Sequence, residues 1–247
     1  MSRYLVSATW DDAPHLGAKE KKELAASYPV YQRDARTKGV PQLGSGAIYP
    51  IGETEILVEP FDVPAYWPRG YGMDVGWNMT AAIFAAHDRE TDVLYLIGEY
   101  ARAQAEPSVH AAGIRARGEW LQGVIDPAAR GRSQKDGSRL LQDYRDQGLR
   151  VNEALNAVEA GIYEVYQRLS TGRLKVFRTL QHWLGEYRIY RRDKKGAVVK
   201  EGDHLMDATR YLILSGIPLM TLMPNYLTKL GHKPGVQSEY DPIHGQR

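Results

Sequence analysis

The stretch Tyr71-Gly72-Met73-Asp74-Val75, followed by Thr80-Ala81-Ala82-Ile83-Phe84-Ala85-Ala86, decides the fold class. Both are apolar runs of strand length. Asp88-Arg89-Glu90-Thr91-Asp92 then supplies a hairpin turn before a third run, residues 93–100. The three predict a strand meander that begins at Asp74. Gly72 and Gly76 flank that aspartate, and small neighbours let a ligand or a second backbone approach its carboxylate.

Outward from the meander, Ile56-Leu57-Val58 is a short strand candidate. Residues 107–121 read as a helix, with Pro107 in the first turn. Residues 123–125 read as a buried strand, 136–147 as a helix stopped by Gly148, and 149–151 as a strand. Val158, Ile162, Val165 and Leu169 form one apolar stripe and predict a helix over 157–169. A strand at 174–177 and a short helix at 180–186 follow. Residues 187–200 read as a strand-turn-strand around Asp193-Lys194-Lys195-Gly196, and the last helix runs over 203–215, ended by Gly216 and Pro218. A hairpin meander followed by strands joined through crossover helices is an α/β fold with a mixed central sheet flanked by helices. Residues 1–60 are polar and turn-rich and read as an arm or linker. Residues 61–216 form the domain, and 217–247, rich in Pro, Gly and His, read as a tail.

The 247 residues carry 32 Lys and Arg against 30 Asp and Glu, a net charge of +2. Whole-chain charge therefore gives no argument for nucleic-acid binding, which must rest on local clusters. The chain has no cysteine, which excludes disulfides, zinc–thiolate sites and a Cys nucleophile. The N-terminal residues lack the apolar core of a signal peptide. The most apolar late stretch, 211–227, is interrupted by Pro218, Pro224 and Asn225, so no membrane association is expected.

Three acidic sites lie at the edges of apolar elements. Asp74 sits in the first strand, where a turn-capping role is the alternative. Asp126 follows Val124-Ile125 and precedes Pro127. Residues just beyond strand ends line ligand crevices in such sheets, and an Asp-Pro turn is the alternative. Asp203 and Asp207 are four apart and share a helix face, with Arg210 on the same side. Asp203 also stands where an N-cap belongs. Asp207 is a poor mid-helix residue without a partner, and the stripe Leu205, Ala208 and Leu212 would dock its helix on the sheet. His204 is either a partner of the cluster or a solvated first-turn residue. Glu99 ends a strand and reads as a surface ion-pairing residue, with a further ligand as the alternative, and Trp77 is the tryptophan nearest the first aspartate. Hard divalent cations take oxygen ligands of this kind, and two such ions are a recurring device for cutting phosphodiesters. Two basic clusters, Arg130, Arg132, Lys135 and Arg139, and Arg188, Arg191, Arg192, Lys194, Lys195 and Lys200, are solvated surface taken singly. Beside the acidic motifs they become candidates for phosphate contact.

Several motifs resemble the nuclease domain of the large terminase subunit of tailed bacteriophages. They are Thr9-Trp10-Asp11-Asp12-Ala13-Pro14-His15-Leu16, Ala35-Arg36-Thr37-Lys38-Gly39-Val40-Pro41, Gly44-Ser45-Gly46-Ala47-Ile48-Tyr49-Pro50, Gly72-Met73-Asp74-Val75-Gly76, Val124-Ile125-Asp126-Pro127 and, most specifically, Asp203-His204-Leu205-Met206-Asp207-Ala208-Thr209-Arg210-Tyr211. The resemblance implies an RNase H-like fold and metal-dependent endonucleolytic cutting of concatemeric viral double-stranded DNA in the cytoplasm of the infected bacterial host. It implies two Mg²⁺ or Mn²⁺ ions on Asp74, Asp126 and Asp207, Asp203 as a fourth ligand, and His204 near the metal. The choice between Asp203 and Asp207 as the direct ligand stays open. It further implies that residues 1–60 follow an absent packaging ATPase, consistent with the lack of a G-x-x-x-x-G-K-[ST] loop. Portal protein and small terminase subunit are the implied partners of the full-length protein, and the isolated domain is expected to be a monomer. Two other classes compete. An actin-like kinase lobe would need a second Gly-rich phosphate loop, and none is seen. A catalytically silent DNA or portal docking module would work through the basic segment and the tail.

Overall fold

Strand parity organises the core. The computed structural model describes residues 9–10, 16–27, 37, 46–127, 137–193, 195–224 and 239–240. Its sheet contains β1 (Leu57–Val58), β2 (Arg69–Asp74), β3 (Thr80–Asp88), β4 (Val93–Arg102), β5 (Gln122–Ile125), β6 (Arg150–Glu153), β7 (Leu174–Phe177) and β8 (Glu239–Tyr240). The order is β1-β7-β4-β3-β2-β5-β6, with β8 on β4. The meander β2-β3-β4 is antiparallel, whereas the β2–β5, β5–β6, β4–β7 and β1–β7 pairs are parallel. This is the mixed sheet that the sequence predicts. Short α1 (Ala18–Ser27) and α2 (Glu53–Ile56) precede it. The crossovers are α3 (Pro107–Arg115), α4 (Gly137–Asp146) and α5 (Val158–Ser170), and α6 (Gln181–Ile189) and α7 (His204–Tyr211) follow β7.

Alternate residues of each strand enter different cores. Tyr71, Met73 and Ile125 pack with Ile114 of α3 and Tyr144 of α4. Ala81, Ile83 and Ala85 pack with Ile162 of α5 and with Leu205, Ala208 and Leu212 on or just after α7. In β2 the residues between Tyr71 and Met73 and beyond it, Gly72 and Asp74, therefore face α7. A Cβ on Gly72 would lie 2.2 Å from the Ala208 carbonyl oxygen and 2.8 Å from Leu212 Cβ. The glycine beside Asp74 thus admits a second backbone, that of α7.

Several elements differ from their sequence-based expectation. Residues 187–200 do not form two strands. The helix α6 continues to Ile189, and among the described residues the hairpin reduces to an isolated bridge, Arg192–Val198, flanked by the Asp193–Ala197 and Val199–Arg191 backbone bonds. Leu180, Trp183, Leu184 and Tyr187 are buried at helical spacing, and Tyr187 stacks on Trp183 and donates to the Ile51 carbonyl at 2.9 Å. These contacts override the strand propensity of the aromatic run. The helix expected over 107–121 stops at Arg115, and Gly118 at φ +144° turns the chain toward β5. After Tyr211 the last helix widens into a π turn, Leu212–Gly216. Asp74 ends β2 rather than opening a strand. Ile48, Tyr49 and Ile56, in the segment read as an arm, join the core, as do Met220 and Met223 from the segment read as a tail. No helix among the described residues is long and apolar enough to cross a membrane.

Asp92 ties the β3–β4 turn to the end of α5 and the start of β7. Asp92, at φ +53°, binds His87 Nε2 at 2.9 Å, Arg173 Nη1 at 2.8 Å and Arg168 Nη2 at 3.3 Å. Burial opposes its ionisation, but these three partners outweigh it and hold the carboxyl down to about 2, from a usual 3.8. A depressed folded-state value means stability that is present above about pH 4 and lost as pH falls toward 2. Asp92→Asn keeps a residue that tolerates positive φ. It is expected to cost about 1 kcal/mol at pH 7, the side chain being 45% exposed. It should also flatten the acid limb between pH 4 and 2. Urea unfolding across that range checks both, and an unchanged acid limb would show the cluster to be energetically silent.

Candidate active site

The register of two parallel strands places the first two aspartates side by side. Met73 pairs with Ile125, so Asp74 and Asp126 are the next residues of β2 and β5, and Asp126 N–H donates to the Met73 carbonyl at 2.9 Å. Strand spacing puts their backbones about 5 Å apart. Parity turns both side chains to the α7 face. There His204 Nδ1 meets Asp74 Oδ2 at 2.8 Å, and Tyr211 O–H donates to Asp126 Oδ1 at 3.0 Å. His204, Asp207 and Tyr211 share one side of α7 by helical spacing, while Leu205, Ala208 and Leu212, all fully buried, dock the helix.

What holds α7 in place is a relay of carboxylates that local sequence does not reveal. Neither α6 nor α7 is capped by its own N-cap side chain. Glu99 of β4 accepts the N–H groups of His182 and Trp183 at 3.1 and 2.9 Å, at the start of α6. Glu186 of α6 then accepts those of Leu205 and Met206 at 2.6 and 3.2 Å, at the start of α7. Two orphan donors are satisfied each time, and each carboxylate meets the positive end of a helix dipole. Glu99 is therefore buried and structural, not the surface ion-pairing residue the sequence suggests. Burial lifts Glu186 to about 7, the two N–H groups and His204 pulling it down and Asp203 pushing it up. Trp183 Nε1 also donates to Thr209 Oγ1 at 2.9 Å, locking α6 to α7.

The expected N-cap, Asp203, turns its Oδ2 to Lys200 Nζ at 2.8 Å. The same amine donates to Asp207 Oδ2 at 2.8 Å, and Arg210 Nη2 donates to Asp207 Oδ1 at 3.0 Å. Arg210 is 1% exposed. Its stem crosses Gly161 of α5, where a Cβ would lie 2.2 Å from Arg210 Cγ, and its guanidinium stands 4.5 Å from the Tyr211 ring centroid. The cluster is thus asymmetric. Asp203 and Asp207 have two cations. Asp74 has His204 and lies in the field of like charges: burial lifts its carboxyl above the usual range, His204 opposes this, and Asp126 and Asp207 add to it. His204 is in turn raised, first by its bond to Asp74.

The donor set has the chemistry of a hard-cation site: buried carboxylates gathered at one sheet edge, with too little positive charge around Asp74. Among the described residues, however, no three His, Asp or Glu side chains stand close enough to hold an ion together. Each of the four aspartates already engages a protein donor or cation. The residues therefore fit a divalent ion in kind, with Lys200 and Arg210 holding the Asp203–Asp207 half.

Of the basic residues, Arg188 pairs with Glu53 at 2.6 Å and Arg192 with Glu159 at 2.6 Å. Arg191 forms a backbone bridge to Ala47, and Lys195 is exposed in the turn closed by Asp193. Arg130, Arg132, Lys135 and Lys194 lie outside the described residues. Trp77, 63% exposed, follows Asp74 in the β2–β3 loop, where its carbonyl accepts Gln104 N–H at 2.9 Å.

Residues 71–215 match the family model of the terminase RNaseH-like domain. The chain belongs to this terminase family. Residues 2–56 match a second model, the N-terminal region of T4likevirus-type large terminase subunits. The large terminase subunits of Enterobacteria phage LP7 and Salmonella phage P22 are each 34% identical over 219 residues, 85% of this chain. The chain spans about half their length, 46% and 44%. Among solved structures, the P22 large terminase nuclease domain matches with a TM-score of 0.68 and 29% identity, over 73% of this chain and 96% of that one. The SPP1 nuclease domain with bound Mn and the phage G20c nuclease with bound magnesium share the fold, with TM-scores of 0.50 and 0.53. They are 17% and 16% identical, over 63% and 70% of this chain and 92% and 98% of theirs. The RNase H-like terminase fold thus stands on sequence and on structure alike.

Proposed function

We propose that this domain is a metal-dependent DNA endonuclease that cuts concatemeric viral DNA during genome packaging. The observation that carries the reading is the placement of Asp74 and Asp126 at adjacent strand ends facing α7, whose His204 binds Asp74 and whose Tyr211 binds Asp126, with Asp207 on the same side of that helix. The P22 relative is a nuclease domain, and two structures of the same fold hold Mn and Mg, which supports a divalent ion here. Bound between these carboxylates, Mg²⁺ or Mn²⁺ would supply a nucleophilic water and charge stabilisation at the scissile phosphate.

The chain's own residues prepare that site. Asp74, Asp126 and Asp207 would hold the ions, with Asp203 as a fourth ligand. His204 orients Asp74 and Tyr211 orients Asp126, as outer partners orient ligands elsewhere. Glu99 and Glu186 fix the helix that carries half of the cluster. Arg191 and Lys195 offer charge to the phosphate backbone, which needs no base reading, and Arg130, Arg132, Lys135, Arg188, Arg192 and Lys194 remain candidates by sequence. Double-stranded DNA is the substrate. In the full-length subunit, portal protein and small terminase subunit are the partners, residues 1–60 follow the ATPase motor and residues 217–247 follow the last helix, both lending side chains to the core, and the host cytoplasm is the compartment.

Plasmid nicking by the purified domain, a monomer on this reading, tests the proposal with Mg²⁺ or Mn²⁺ beside an EDTA control. Metal-dependent conversion of supercoiled to open-circular and linear DNA is expected. A folded protein that retards DNA but never cuts it would favour the silent docking module.

A further inference from the structure

We propose that Lys200 is the domain's built-in counter-ion, and that a divalent cation engages Asp207 only by displacing the Lys200 amine. The inference rests on the metal-dependent reading above. A single amine bridges Asp203 Oδ2 and Asp207 Oδ2, at 2.8 Å from each, and so stands between two carboxylates at a distance where an ion would be shared. Two buried carboxylates need such compensation, because unpaired charge is costly away from water.

The two cations on Asp207 differ in one respect that assigns the roles. Arg210 is 1% exposed and threaded over Gly161, so it cannot leave without opening the packing of α5 on α7. The Lys200 side chain is 58% exposed. Its amine can swing into water while the backbone stays in place. Gly202, at φ +59°, makes the turn that brings residue 200 back over the start of the helix. A left-handed glycine at that point sets the reach of the lysine to both aspartates. The amine thereby occupies one carboxylate oxygen of Asp203 and one of Asp207. Displacing the amine frees one oxygen on each and leaves Arg210 to hold Asp207 in place through Oδ1. Lys200 is thus a positioning residue that sets the metal concentration at which the site assembles.

Mn²⁺ binding by isothermal titration calorimetry, with thermal melts in EDTA and in saturating Mn²⁺, tests this on the intact chain. The proteins are wild type, Lys200→Met, Lys200→Gln, Lys200→Arg and Asp74→Ala. Removing the amine is expected to tighten Mn²⁺ binding about tenfold, a modest coupling between competing cations. It should lower the melting temperature in EDTA and enlarge the upshift that Mn²⁺ produces, since ligand stabilisation follows affinity. Lys200→Arg should stay near wild type. Unchanged or weaker Mn²⁺ binding in both neutral variants, with Asp74→Ala silent, would overturn the counter-ion role and leave the nuclease reading intact. No Mn²⁺ binding by wild type or by either neutral variant would overturn both.

Discussion

Asp74→Asn is expected to lower metal-dependent DNA cutting by about 1000-fold or more, the scale of losing one preorganised electrostatic group, while leaving the fold at least as stable as wild type. Activity alone would not separate a ligand from a structural aspartate. The second readout does. Asp74 is raised by burial, against His204, and further by Asp126 and Asp207. A carboxyl whose folded-state value is raised costs stability as pH climbs through the interval between its unfolded and folded values. A neutral isostere removes that cost, and Asn can still bond His204. The paired outcome, lost cutting with an equal or higher melting temperature at pH 7, is the mark of a site built against stability. A variant that cuts normally would show the site to be misplaced. One that melts well below wild type would make Asp74 a structural cap instead.

Gly72→Val should remove activity by another route. Even the first added carbon would meet the Ala208 carbonyl at 2.2 Å and the Leu212 backbone nitrogen at 2.9 Å, atoms that no rotamer change can move. Overpacking a well-packed core costs about 1–3 kcal/mol, and here the obstacle is the backbone of α7. We expect about 3 kcal/mol or more of lost stability, read by urea unfolding, together with loss of cutting as His204 and Asp207 are pushed from the strand ends. Gly185→Ala is the matched control. A Cβ there meets nothing within 4 Å, and Gly to Ala inside a helix stabilises by about 0.5–1 kcal/mol. If both substitutions moved stability in the same direction, close approach at Gly72 would not be what seats α7.

The meander was legible because its signal is local. Three apolar runs with one polar turn admit few arrangements, and the stripe Val158, Ile162, Val165 and Leu169 marks α5 directly. Residues 187–190 carry a misleading signal for an equally local reason. Tyr187, Ile189 and Tyr190 look like strand residues, while the helical set Leu180, Trp183, Leu184 and Tyr187 becomes decisive only once its burial is seen. The capping roles of Glu99 and Glu186 gave no sequence signal, since the first N–H group that each accepts lies 83 and 19 residues further along the chain.

Sequence by itself determined the α/β class and the mixed sheet and singled out four candidate aspartates, because periodicity and motif spacing are properties of neighbouring residues. Tertiary structure alone decided which faces those aspartates share and which cations answer them. Strand register sets Asp74 beside Asp126, and the missing side chain of Gly72 lets α7 close over both. Lys200 and Arg210 meet Asp207 through a turn and a helix packing whose geometry belongs to the assembled fold. Charges act through space, and only the folded chain sets the distances over which they do so.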